Sequence, residues 1–266
     1  MDGISLKGSE TDVRDAALRY ITPGGTRKVV RRPRTDVEST QEMIPYRDGF
    51  ISTRVWGGAD AKTVLLVHGW AANQTDMFPY IPKLLETGFR VVAMDLPAHG
   101  ESSFETAGLN HLGDAVLIVG NHYGALEGVI AHSVGCAATQ VAISNGLEVH
   151  RVVLLASPNN YEAKTFDFAK SLGLDDEQTK RFISSLKELD VRVEIRSKDF
   201  VPQFEKPALI VHSADDSVIP IEIGEQLAEM WRNSTFLKVD GLNHRGVLKD
   251  DFVIRSAVEF LVESRS

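Results

Sequence analysis

Three stretches of this chain carry side chains that could do chemistry together, and they lie far apart. They are Ser133 in VIAHSVGCAA (129–138), Asp215 and Asp216 in ALIVHSADDSVIP (208–220), and His244 in DGLNHRGVL (240–248). A serine hydroxyl attacks a carbonyl only when a base takes its proton, and that base is usually oriented by a carboxylate. Of the eight histidines, His150, His212 and His244 follow Ser133, and only His244 also follows the aspartate pair. The order serine, aspartate, histidine suits a nucleophile displayed at the carboxyl edge of an open α/β sheet.

The surroundings of Ser133 support that chemistry. Ala131 and Gly135, two residues to either side, are small enough for a sharp elbow that lifts the hydroxyl clear of the backbone. An elbow of this kind places the serine at a helix N-terminus, where developing negative charge is favoured. The simpler reading of a serine there is an N-cap. Acyl transfer also needs two backbone N–H donors for the oxyanion. Val134 follows the nucleophile, and TVLLVHGW (63–70) presents Trp70 beyond a strand, with Gly69 allowing close approach. The side chains of His68 and Trp70 are expected only to pack and hydrogen-bond within their turn.

These residues need elements to position them. From residue 43 the punctuation is regular. MIPYRDGFISTRVWG reads as a hairpin about Asp48-Gly49. Apolar runs follow at TVLLV, RVVAM, GVIA, RVVLLA, ALIV and TFLKV, separated by helical segments over 79–87, 109–123, 134–145 and 221–231, and a closing helix covers 252–262. Runs without alternation are strands buried on both faces, so the fold class is α/β, a mostly parallel, doubly wound sheet with an N-terminal antiparallel hairpin. The interval between the strands ending near 156 and starting at 208 far exceeds the usual ~4–6 residues. It contains two helical patterns, the second capped by Asp175 or Asp176, and predicts a small helical cap insertion over the sheet's carboxyl ends. The chain therefore divides into an N-terminal helix and basic connector (1–42), a core (43–158 and 206–266) and the cap (159–205). Val13, Ala16, Ala17 and Tyr20 form a helical stripe expected to dock on the core, and TRKVVRRPR (26–34) reads as a solvated connector.

Composition narrows the function. With 266 residues, 43% hydrophobic, the chain can bury a full core. A formal charge of −8 argues against a nucleic-acid partner. One cysteine, Cys136, excludes an intrachain disulfide and fits a reducing compartment, with cytoplasm as the default and no stable membrane insertion expected. The histidines show no metal-ligand spacing, and no phosphate-cradling loop occurs, so neither metal nor cofactor is expected. Cys136, three residues along the helix from Ser133, reads as a buried small side chain.

Together VHGW, DLPAHGES, IAHSVG, HSADDSVIP and GLNHRGVL resemble the α/β-hydrolase fold family, in a bacterial branch with DxPAHGxS, IAHS and GHR stretches. The resemblance covers about residues 44–264. It implies Ser133 as nucleophile, His244 as base, Asp216 rather than Asp215 as orienter, and the amides of Trp70 and Val134 as oxyanion hole. Ala131 stands where the family usually has glycine, Ser213 likewise, and Cys136 where a second glycine is frequent. The expected activity is carboxylic ester hydrolysis on a small acyl substrate, with a thioesterase, a C–C bond hydrolase or a non-catalytic ligand-binding protein as alternatives. DLPAHGES is expected to order a loop at the site's edge. Phe166, Phe168, Leu172, Phe182 and Leu186 are available to line an acyl pocket, and most are expected to anchor the insertion instead.

Overall fold

The computed structural model describes residues 10–24 and 35–263; the basic stretch 26–34 lies outside them. Among the described residues one sheet is built from β1 (Ser39–Tyr46), β2 (Gly49–Trp56), β3 (Thr63–Val67), β4 (Arg90–Met94), β5 (Leu126–His132), β6 (Val149–Leu155), β7 (Ala208–Ser213) and β8 (Ser234–Val239). Its order is β1-β2-β4-β3-β5-β6-β7-β8. The β1–β2 and β2–β4 pairs are antiparallel and every later pair is parallel. The apolar runs became strands for the expected reason. β3 and β7 are buried along their whole length because helices cover both faces.

The hairpin turns one residue earlier than its sequence suggests. Tyr46 pairs with Gly49, so Arg47 and Asp48 are the central residues, and Arg47 takes the positive φ of 52°. Gly49 serves another purpose, since a Cβ there would lie 2.6 Å from the Cβ of Ser103.

Helices α1 (Glu10–Ile21), α2 (Ile81–Glu86), α3 (Leu109–Tyr123), α4 (Val134–Ser144), α5 (Tyr161–Ser171), α6 (Asp176–Glu188), α7 (Ile221–Met230) and α8 (Asp251–Val262) complete the fold. Alternate strand residues point to opposite faces. Leu65, Val92, Val129 and Ile210 pack with α3, α4 and α7. Leu66, Ala93, Ile130 and Val211 pack with α2 and α8. The segment expected as one helix over 79–87 starts as a 3-10 turn, Gln74–Tyr80, with Asn73 capping it; Pro79 has no N–H to give, and α-geometry begins only at Ile81.

The insertion is helical, as its patterning implies. Asp175 caps α6 reciprocally with Gln178, whose amide donates to Asp175 at 2.8 Å while Gln178 Oε1 accepts from the Asp175 amide at 2.9 Å. An isolated bridge between Asn160 and Arg196 closes the base of the insertion. Helix α1 differs from expectation. Its stripe of Val13, Ala16, Ala17 and Ile21 is buried against Ala169, Phe182, Leu186, Val191 and Val193 of the insertion, not against the sheet core. An amphipathic stripe states that a face is covered without stating by what.

Candidate active site

At the end of β5 the chain reverses into α4, and Ser133 sits on the corner with φ 53° and ψ −126°. A positive φ is costly for a residue with a Cβ and persists only where neighbours enforce it. The Ser133 amide is held by the carbonyl of Leu155 on β6 at 2.9 Å. Gly135 explains the need for small residues, because a Cβ there would lie 2.3 Å from the carbonyl oxygen of His68. Ser133 makes no side-chain cap of α4, so its hydroxyl is not occupied as an N-cap.

The hydroxyl faces His244. Ser133 Oγ lies 3.0 Å from His244 Nε2, and His244 Nδ1 lies 2.8 Å from Asp216 Oδ2. The carboxylate can only accept, so Nδ1 carries the imidazole proton and Nε2 is free to accept from the serine. Asp216 Oδ1 accepts from the amides of Val218 and Ile219 at 2.8 and 2.9 Å. Burial alone would raise the Asp216 pKa, but these two amides and the His244 imidazole outweigh it and hold the carboxyl below its usual value. Asp215 instead accepts from the Gly241 amide at 2.6 Å and ties together the loops after β7 and β8. Another tie runs from Arg245 to Asp76, fastening the His244 loop to the 3-10 turn.

The loop after β3 carries Trp70, one of the two expected oxyanion donors. Among the described residues neither the Trp70 nor the Val134 amide donates a turn or loop hydrogen bond. Gly69 sits so close to the elbow that a Cβ would meet Ser133 Cβ at 3.1 Å. Two buried histidines hold this loop. His68 donates from Nδ1 to the Gly69 carbonyl at 2.7 Å and accepts at Nε2 from the Leu96 amide at 3.0 Å. His99, of the DLPAHGES stretch, donates from Nδ1 to Pro97 at 2.8 Å and accepts at Nε2 from the Ala71 amide at 3.2 Å. Burial pushes the pKa of His68 down to about 4 and that of His99 down to about 3, so both remain neutral and can accept. Asp95 anchors the same stretch through Gln74 and the Glu101 amide. That stretch orders the edge of the site, as expected.

Above Ser133 opens a cavity of about 360 Å³, walled by Trp70, Leu109, Val134 and Ile219 from the core, by Phe168, Ile195 and Phe200 from the insertion, and by Arg19 and Tyr20 of α1. Trp70 also lines this cavity, and its ring contacts His99. Of the five apolar insertion residues singled out, Phe168 reaches the cavity; Phe182 and Leu186 are buried against α1, Leu172 packs in the same cluster, and Phe166 is half exposed on the outer side. Tyr20 bridges α1 and α5 through a 2.9 Å hydrogen bond with Thr165 and a ring contact with Phe168. Cys136 is buried behind the elbow, near the carbonyls of Ala131 and Leu155, and burial pushes its thiol pKa up.

Comparison with known proteins agrees with this architecture. The chain is 26% identical over 253 residues to the bifunctional esterase/perhydrolase DCH of Acinetobacter calcoaceticus, covering 76% of this chain and 92% of that protein. An esterase structure from Exiguobacterium antarcticum superposes with a TM-score of 0.66 at 16% identity, covering 84% of this chain and all of that one (100%). A Rhodococcus esterase superposes with a TM-score of 0.63 at 18% identity, covering 85% and 100%. A model of the alpha/beta hydrolase family matches residues 64–255, a span that contains Trp70, Ser133, Asp216 and His244 and leaves out α1; the chain belongs to the alpha/beta hydrolase family.

Proposed function

We propose that this protein is a serine hydrolase that cleaves carboxylic esters through an acyl-serine intermediate. The observation that carries the reading is the unbroken relay from Ser133 Oγ through His244 to Asp216, with spacings of 3.0 and 2.8 Å, at the floor of a cavity. In the first step Ser133 Oγ bonds to the substrate carbonyl carbon while His244 Nε2 takes its proton. The oxyanion rests on the amides of Trp70 and Val134. Collapse breaks the ester bond, and His244 returns the proton to the departing alkoxide, releasing an alcohol. Water then repeats the sequence on the acyl-serine and releases the acid. Asp216 holds the imidazole in the required tautomer and stabilises the imidazolium.

Kinship to an esterase/perhydrolase supports ester over amide substrates. The same relay accepts acyl-thioesters, and a panel of p-nitrophenyl esters and thioesters ranks the two. A cytosolic setting belongs to the same proposal, supported by the single buried cysteine, which is free. The decisive measurement is p-nitrophenyl acetate turnover by the wild type and Ser133→Ala, with an expected loss on the order of a million-fold in kcat. A variant that keeps a tenth of the activity would overturn the assignment.

A further inference from the structure

The cavity above Ser133 is apolar on most of its walls, yet Arg19 of α1 and Lys164 of α5 also line it. Some cations near this cavity are held by carboxylates. Arg14 of the same helix pairs with Glu188, and Arg196 takes both Glu162 and Asp199. Among the described residues Arg19 and Lys164 form no ion pair, and the carboxylate closest along the chain to Lys164, Glu162, is already held by Arg196. Lys164 also lies against the local electrostatics. It is in the first turn after the Asn160 cap of α5, where the helix dipole favours a negative side chain. Asn160 and Tyr161, at that same helix end, line the cavity too. Two cations that form no ion pair among the described residues thus lend positive charge to a pocket whose lining is mostly apolar, while the first amides of α5 are already taken by the Ile195 carbonyl and the Asn160 side chain.

We propose that these two cations form an anion subsite that selects esters carrying a second, ionised acid group, such as the half-esters of dicarboxylic acids. Phe168 and Ile195 would cover the methylene chain between the reacting carbonyl at Ser133 and the charged end. The inference deepens the ester-hydrolase reading and rests on it.

The test compares kcat/KM for the mono-p-nitrophenyl esters of glutaric, adipic and suberic acids with their methyl-capped diesters. At the best chain length the half-ester is expected to be preferred about tenfold, a modest figure because both cations are exposed to solvent and screened. That ratio should fall towards one in Arg19→Gln/Lys164→Gln and in 0.5 M salt, and should survive in Arg19→Lys/Lys164→Arg. Capped diesters cleaved as well as half-esters, or a ratio unchanged in the double glutamine variant, would overturn the subsite while leaving ester hydrolysis intact. If no ester is turned over, the ester reading fails separately. Calorimetric binding of monomethyl and dimethyl adipate to Ser133→Ala then decides the subsite without turnover: tighter binding of the anion supports it, and equal or weaker binding ends it.

Discussion

The side chain of His132 donates from Nε2 to the backbone carbonyl of His244 at 2.9 Å, so the residue before Ser133 holds the loop that carries His244. The two rings lie 4.8 Å apart. Burial lowers the His132 pKa to about 3, with the His244 carbonyl partly opposing, so the ring stays neutral beside the imidazole that the proposed mechanism makes cationic. Its Nδ1 is buried and has no partner among the described residues. His132→Ala removes the tether, and kcat is expected to fall about a hundredfold, as for a displacement of roughly an ångström, with KM less affected. His132→Gln can still donate to the carbonyl and should recover part of the loss. Unchanged kcat in the alanine variant would show that the loop holds itself.

Asp216 and Asp215 are neighbours with separate duties, and their amide variants distinguish them. Asp216→Asn keeps the shape but disturbs the His244 tautomer, and kcat is expected to drop by about 10⁴. Asp215→Asn retains an oxygen for the Gly241 amide and should stay within a few-fold of the wild type. Steady-state kinetics on one p-nitrophenyl ester settle the comparison, and equal losses in the two variants would contradict the assignment.

Acid should destabilise the protein well before its carboxylates titrate. His68, His99 and His132 have folded pKa values of about 4, 3 and 3, against an unfolded value of about 6.5. Between these limits the unfolded chain binds more protons, so their contribution is complete above pH 6.5 and is lost as the pH falls through 6 and 5. Each group can cost up to about 1.4 kcal/mol per pH unit. Asp95, whose pKa burial raises against its hydrogen bonds, works in the opposite sense. Thermal melts from pH 7.5 to 5 should therefore show a falling Tm, flattened in His99→Gln; a constant Tm over that range would refute the account.

Gly135→Ala tests the packing behind the elbow. The new methyl would press on the carbonyl oxygens of both Val67 and His68, which are backbone and cannot swing aside. An overpacking cost of roughly 1–3 kcal/mol is expected. Both Tm and kcat should fall together, because the strand end being pushed leads directly to Trp70. A fully active, equally stable variant would mean that the elbow has slack.

Much of the core could be read from residue types alone. A strand covered on both faces needs an unbroken apolar run, and TVLLV and RVVAM match β3 and β4 residue for residue. Ser133, the Asp215–Asp216 pair and His244 were legible because each follows a strand and their order along the chain is constrained, whereas the preference for Asp216 comes from the family resemblance, and Asp216 lies 2.8 Å from His244. What stayed hidden depends on tertiary partners. The acceptor for His132 is a main-chain carbonyl, which leaves no mark on residue type. The stripe on α1 shows a buried face yet cannot name Phe182 and Leu186 as its cover. Arg19 and Lys164 look like ordinary surface cations until two distant helices bring them to one cavity.

The docking of α1 on α6 also sets an order of events at the ribosome. Residues 10–21 are made before their partners at 176–188, which follow only after the central strands. At ~5–20 residues per second the delay is on the order of ten to thirty seconds. Throughout that interval the apolar stripe of α1 lacks the residues that cover it in the folded protein. The mouth of the cavity is therefore assembled late, from segments made well apart in time.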